Sequence, residues 1–156
     1  MQLKRPLLLV GLILFGAWLL TPASFSSAET IGIRAGQYTD IEEFFLGGEF
    51  ISRFGQNLFF IPNAEYVFVE RGTYMTFNFD LHYRFYTRSP LFFWAGGGLG
   101  VMYFNPPGRA ESDTDLGANL IFGAGIETSG SFYPYFQGKL VLGDNEEFVI
   151  GGGIRF

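Results

Sequence analysis

Between Met75 and Phe85 the chain alternates without a break. Met75, Phe77, Phe79, Leu81, Tyr83 and Phe85 fall on one parity, and Thr76, Asn78, Asp80, His82 and Arg84 on the other. Successive side chains of a strand point to opposite faces, so Thr73 to Phe85 is predicted to be a strand with one apolar and one polar face. Tyr74, at the entry, is the aromatic exception on the polar side. The apolar face is long and mostly aromatic. A strand that crosses a bilayer needs about 9–11 residues, apolar outward and polar inward, and this segment meets that pattern. A half-buried strand of a soluble sandwich shares the alternation, so the rest of the chain has to decide between them.

The same period runs through Thr30–Gly36, Phe44–Arg53, Phe60–Val69, Phe92–Phe104, Leu116–Glu127, Tyr133–Leu142 and Phe148–Phe156, which makes eight predicted strands. In Phe44–Arg53, for example, Phe44, Leu46, Gly48 and Phe50 oppose Phe45, Gly47, Glu49 and Ile51. Pro62 cannot donate to a ladder and is expected at the start of the third strand. No helical period follows residue 28. Open strand edges cannot sit in lipid, so the sheet is expected to close. The predicted fold is all-β, a closed eight-stranded antiparallel up-and-down transmembrane barrel over 29–156.

Residues 1–28 read differently. Lys4 and Arg5 precede an apolar run from Leu7 to Leu20, then Thr21, Pro22 and small residues ending Ser26-Ser27-Ala28. That order is a secretory signal peptide, with cleavage expected after Ala28. The apolar run is short of the ~20 residues that a spanning helix needs. The chain has no cysteine, which excludes a disulfide framework, a cysteine metal site and a lipoprotein anchor. Its 20 Phe and 22 Gly are too many apolar and small residues for the core of so small a soluble protein. The formal charge of −5 becomes more acidic once Lys4 and Arg5 leave with the signal, so nucleic acid is excluded as a partner.

The connections differ in character. Gln37–Glu43, Glu70–Thr73, Asn105–Asp115 and Gly143–Glu147 collect most of the acids, against Arg71 and Arg109. The other set, near Gly55–Asn57, Thr87–Pro90 and Thr128–Ser131, is short, with Arg53 and Arg88 in or beside it. Long loops at one end and tight turns at the other are the pattern of outer-membrane barrels, with the long loops outside.

The signal peptide, the alternating strands, AGGGLGVMYF at Ala95–Phe104 and the terminal GGGIRF at Gly151–Phe156 carry a family resemblance. With them the chain resembles the small eight-stranded outer-membrane barrels, the OmpA/OmpX-like class, over its whole length after the signal. The resemblance implies an outer-membrane location in a Gram-negative bacterium, surrounded by outer-membrane lipids and lipopolysaccharide. It also implies that Phe156 is the terminal aromatic read by the barrel-assembly machinery. The peptidoglycan-binding domain of OmpA itself has no counterpart, so no cell-wall tether is implied.

The inward parity holds Arg34, Glu49, Asn63, Glu65, Asn78, Asp80, His82, Arg84, Asn119, Glu127, Gln137, Lys139 and Arg155. An eight-stranded interior is just wide enough to be filled by side chains. Unpaired buried charge is expensive, so these groups are expected to form a paired polar network centred on Arg34, Glu49, Glu65, Asn78, Asp80, His82, Arg84, Lys139 and Arg155. Pairing about Glu70–Thr73 sets Glu65 beside Asn78 and Asn63 beside Asp80. Pairing about Thr87–Pro90 sets Arg84 beside Trp94, His82 beside Gly96 and Asp80 beside Gly98.

Catalytic and cofactor chemistry find little footing. His82 is the only histidine, with no serine on its face of the strand, and is expected to be a satisfied interior residue. Gly96-Gly97-Gly98 precedes no helix and is not a phosphate loop. Glu111, Asp113 and Asp115 place alternate carboxylates on one loop, which suits a divalent cation or simply a solvated rim. The expected function is a structural or surface-interaction role in the envelope, without catalytic, cofactor-binding or metal residues. The competing readings are a small passive channel, a lipid-A-modifying enzyme and a soluble periplasmic lipid-binding barrel.

Overall fold

The computed structural model describes residues 30–108, 111–144 and 146–156. The expected signal peptide, 1–28, lies outside the described residues. Eight strands follow one another: β1 Thr30–Tyr38, β2 Glu43–Arg53, β3 Leu58–Val67, β4 Thr73–Tyr86, β5 Leu91–Asn105, β6 Asp113–Ile126, β7 Tyr133–Leu142 and β8 Glu147–Arg155. Each pairs antiparallel with its neighbour in sequence, and β8 returns to β1 from Gly32↔Arg155 to Tyr38↔Val149. The sheet is a closed barrel with no free edge.

The period-2 pattern explains the two faces. Along β4, Phe77, Phe79, Leu81, Tyr83 and Phe85 are each more than 40% exposed, while Thr76, Asn78, Asp80 and His82 are buried. The inversion holds around the whole barrel: Ile31, Leu46, Leu99, Leu116 and Phe136 are all more than half exposed, and Glu49, Glu65, Lys139 and Arg155 are buried. A soluble domain does not leave so continuous an apolar belt uncovered.

The interior has an axial order that parity alone does not reveal. At one end Tyr38, Phe45, Val67, Val141 and Val149 form an apolar cluster. At the other end, beside Thr30 and Phe156, Phe92, Trp94, Ile121 and Tyr135 form a second, and Ile51, Phe59 and Ile61 a third. The polar residues lie between these caps.

Three expectations are revised. The strands run further than expected, so the acid-rich connections shrink to residues 39–42, 68–72, 106–112 and 143–146, hardly longer than 54–57, 87–90 and 127–132. The ends of the barrel therefore differ in charge, not in loop length. Pro62 sits in mid-strand, paired with Phe79, and the β2–β3 ladder is interrupted opposite it, resuming at Ser52↔Phe60. A residue without an N–H is tolerated there because only one of its two neighbouring ladders loses a rung. The β3–β4 register is offset by two: Glu65 pairs with Thr76 and Asn63 with Asn78. The β4–β5 pairings Arg84↔Trp94, His82↔Gly96 and Asp80↔Gly98 stand as expected. Here glycine is required, because a Cβ at Gly98 would run into the Asp80 carboxylate and the Phe79 carbonyl.

Candidate functional site

Five strands contribute side chains to a continuous chain of charge along the lumen. Arg155 of β8 donates through Nε to Glu49 Oε1 of β2 at 2.7 Å and through Nη2 to Oε2 at 3.3 Å. Arg34 of β1 bridges the next gap, with Nη1 3.6 Å from Glu49 Oε2 and Nη2 3.1 Å from Glu65 Oε1 of β3. Lys139 Nζ of β7 completes it at 3.1 and 3.0 Å from the two Glu65 oxygens. Glu65 also accepts from the Tyr38 hydroxyl at 2.5 Å and from Thr76 Oγ1 at 3.0 Å. Gly32 and Gly47 give the long side chains their room, since a Cβ at either would meet Glu49 or Glu65.

Asp80 is held by amides. Asn63 Nδ2 donates to Oδ2 at 2.8 Å and Asn119 Nδ2 to Oδ1 at 2.9 Å, and Asn78 joins Asn63 and Asn119. The buried carboxylates Glu49, Glu65 and Asp80 are thus matched by the buried cations Arg34, Lys139 and Arg155. Opposite charges at these distances are the condition under which buried ions are tolerated; Glu65 takes further hydrogen bonds from Tyr38 and Thr76, whereas Arg34 Nε and Nη1 have no hydrogen-bond partner among the described residues. Arg155 additionally stacks its guanidinium 4.3 Å from the Tyr135 ring centroid and 5.2 Å from that of Trp94.

His82 and Arg84 lie outside this chain. His82 is buried with its ring stacked on Trp94, centroids 5.9 Å apart and planes within 10°, and neither ring nitrogen has a hydrogen-bond partner among the described residues. Arg84 sits nearer the rim, half-buried, with its guanidinium 4.1 Å from the Phe59 ring centroid and 4.4 Å from that of Phe92. No carboxylate comes within 4 Å of it among the described residues. Glu127, also expected inside, lies just past β6 and is exposed. For Arg84 and Glu127 parity predicted the side of the wall, but their depth along the axis puts them at a mouth.

Each mouth holds a cavity. At the acidic end a space of about 360 Å³ is lined by Glu43, Asp113 and Asp115 together with Tyr74, Met102 and Phe104. At the end near Thr30, a space of about 240 Å³ is lined by Arg53, Arg84 and Arg155 with Phe59, Phe92 and Glu127. The acids do not gather into a metal site: among the described residues no three His, Asp or Glu side chains converge. Some instead clip the rim, where Phe148 N donates to Asp40 Oδ2 and Asp40 N to Glu147 Oε1, both at 2.9 Å.

Tyr38, Thr76 and Trp94 join the polar network without being among its expected members. Tyr38 falls in the predicted Gln37–Glu43 connection, although the inward parity Gly32, Arg34, Gly36 continues to it. Thr76 lay on the correct face and differs from its neighbours only in being small. Trp94 donates Nε1 to Gln137 Oε1 at 3.3 Å.

No protein-family model matches the sequence, and no curated protein matches it either. Solved structures do match. The N-terminal β-barrel domain of Pseudomonas aeruginosa OprF superposes with a TM-score of 0.69 at 16% identity, covering 81% of this chain and 96% of that one. Neisserial surface protein A gives 0.62 at 13% identity over 81% and 93% of the two chains. The outer membrane enzyme PagL gives 0.58 at 11% identity over 81% and 97%. The chain therefore has the fold of the small eight-stranded outer-membrane β-barrels.

Proposed function

We propose that this chain is an integral outer-membrane protein of a Gram-negative envelope, with a structural or surface-interaction role, not an enzyme and not a pore. The observation that carries the reading is the sealed lumen inside a lipid-compatible wall. The apolar belt matches hydrocarbon, so outer-membrane lipids and lipopolysaccharide are its surroundings. Within, the ion-paired chain from Arg155 to Lys139 lies between apolar caps at both ends. A path crossing it would have to break these pairs and part the caps. Phe156, 54% exposed with its N–H bonded to Ile31 O at 2.8 Å, turns an aromatic side chain outward beyond β8, which suits recognition by the assembly machinery. His82, buried and stacked on Trp94, offers no accessible acid–base group. The acidic end is the face offered to any surface partner.

The test is cell fractionation followed by electrophoresis with and without boiling, then recording in planar bilayers. A heat-modifiable band in the outer membrane and electrical silence are expected. Recovery as a soluble periplasmic protein refutes the membrane assignment. Steady cation-selective channels from the pure parent, abolished by Glu65→Gln or Asp80→Asn, refute the sealed lumen.

A further inference from the structure

At the mouth beside Thr30, Arg84 is built into the wall with no carboxylate within 4 Å among the described residues, Glu127 acting on it only from further off. Phe59 of β3 and Phe92 of β5 lie on its guanidinium at 4.1 and 4.4 Å, with Tyr86 at 5.9 Å. Rings engage a guanidinium through its flat faces, while its N–H donors radiate in the plane; one is shared with the Tyr86 side chain and the others stay available to an anion. The clamp also fixes the side chain, so little freedom is lost when an anion docks. Across the cavity Arg53 spends Nε and Nη2 on the carbonyls of Gly55 and Gln56, both at 2.9 Å, which leaves Nη1 free of that turn. Arg155 is committed to Glu49. Arg53, Arg84 and Arg155 thus face this space against the single carboxylate of Glu127.

We propose that this mouth is a binding site for a phosphate-bearing anion, held by Arg84 with help from Arg53. A cavity of about 240 Å³ is below the roughly 300 Å³ at which drug-sized pockets begin, so it suits a head group or a small free phosphate, not a bulky ligand. Arg is the side chain whose fork matches phosphate oxygens in pairs. The site is independent of the sealed lumen and of where the barrel resides, because it is tested on the isolated protein.

The experiment is calorimetric titration of the purified barrel with inorganic phosphate, in nonionic detergent and phosphate-free buffer. Glycerol phosphate and glycerol serve as the charged and neutral comparisons. Phosphate and glycerol phosphate are expected to bind, and glycerol to give no heat. Arg84→Gln should weaken binding at least tenfold and Arg53→Gln severalfold. Arg88→Gln, an exposed turn arginine at the same end, should leave it unchanged. In nanodiscs of phosphatidylglycerol, suppressed titration identifies the lipid head group as the occupant, and unchanged titration a free phosphate; either supports the site. A flat titration of the parent overturns it, as does equal weakening by Arg88→Gln. If Arg84→Gln does not assemble, Arg53→Gln carries the test, and unaltered binding there overturns the proposal.

Discussion

Glu65→Gln tests the lumen most directly, because Glu65 is where the charge chain and the hydroxyls converge. In the parent, Arg34 Nη2 lies 3.1 Å from Oε1 and Lys139 Nζ 3.0 Å from Oε2, both in a region closed to solvent. Two unit charges ~3 Å apart attract by about 5 kcal/mol at an effective dielectric near 20, before desolvation is counted. Glutamine keeps the shape but removes the charge and turns one acceptor into a donor facing other donors. Arg34 keeps Glu49 at 3.6 Å, whereas Lys139, 1% exposed, loses the one carboxylate within 4 Å of it among the described residues. Breaking a buried pair from one side typically costs about 3–5 kcal/mol, and that is the expected loss here. The assay is urea unfolding from lipid vesicles, followed by Trp94 fluorescence and by the mobility of unboiled samples. Adding Lys139→Met should recover most of the loss, since the stranded cation goes with it. A Glu65→Gln barrel within about 1 kcal/mol of the parent would mean that water screens these groups, and would refute the dry-lumen argument.

Three further outcomes are expected. Phe79→Arg, on the outer wall at 43% exposure, should destabilise the barrel in bilayers by about 2–4 kcal/mol, and folding equal to the parent would mean that β4 faces the other way. Gly98→Ala should abolish assembly because its methyl group meets the Phe79 carbonyl, whereas Gly48→Ala, with only the Gly32 carbonyl at 3.9 Å, should assemble normally; the yield of heat-modifiable protein separates them. His82→Phe should be neutral or stabilising by up to about 1 kcal/mol, since the ring nitrogens have no partner to lose and the stack on Trp94 survives; a clear loss in the same urea assay would show that the imidazole has a polar role.

The sequence by itself determined the wall. A period of two needs no distant partner to be read, so Met75 to Phe85 already declared which side meets lipid. The sum of such strands, with no room for a soluble core, required closure. Composition likewise determined that the interior would be polar and would hold acids and bases together. Only the tertiary structure decided which charge meets which. Glu65 and Lys139 stand 74 positions apart and touch across the lumen, a contact set by the stagger of the closed sheet and not by anything local to either residue. The same stagger decided the offset of Glu65 onto Thr76 in the β3–β4 ladder. Depth along the axis was equally hidden: Arg84 shares its parity with Asp80 but lies further along β4, where the inner wall turns aromatic and a cation stacks on rings instead of pairing with an acid. Parity is a property of the strand alone. Register and depth belong to the closed barrel, and they placed the paired charges in the middle of the lumen and the ring-stacked guanidinium at its mouth.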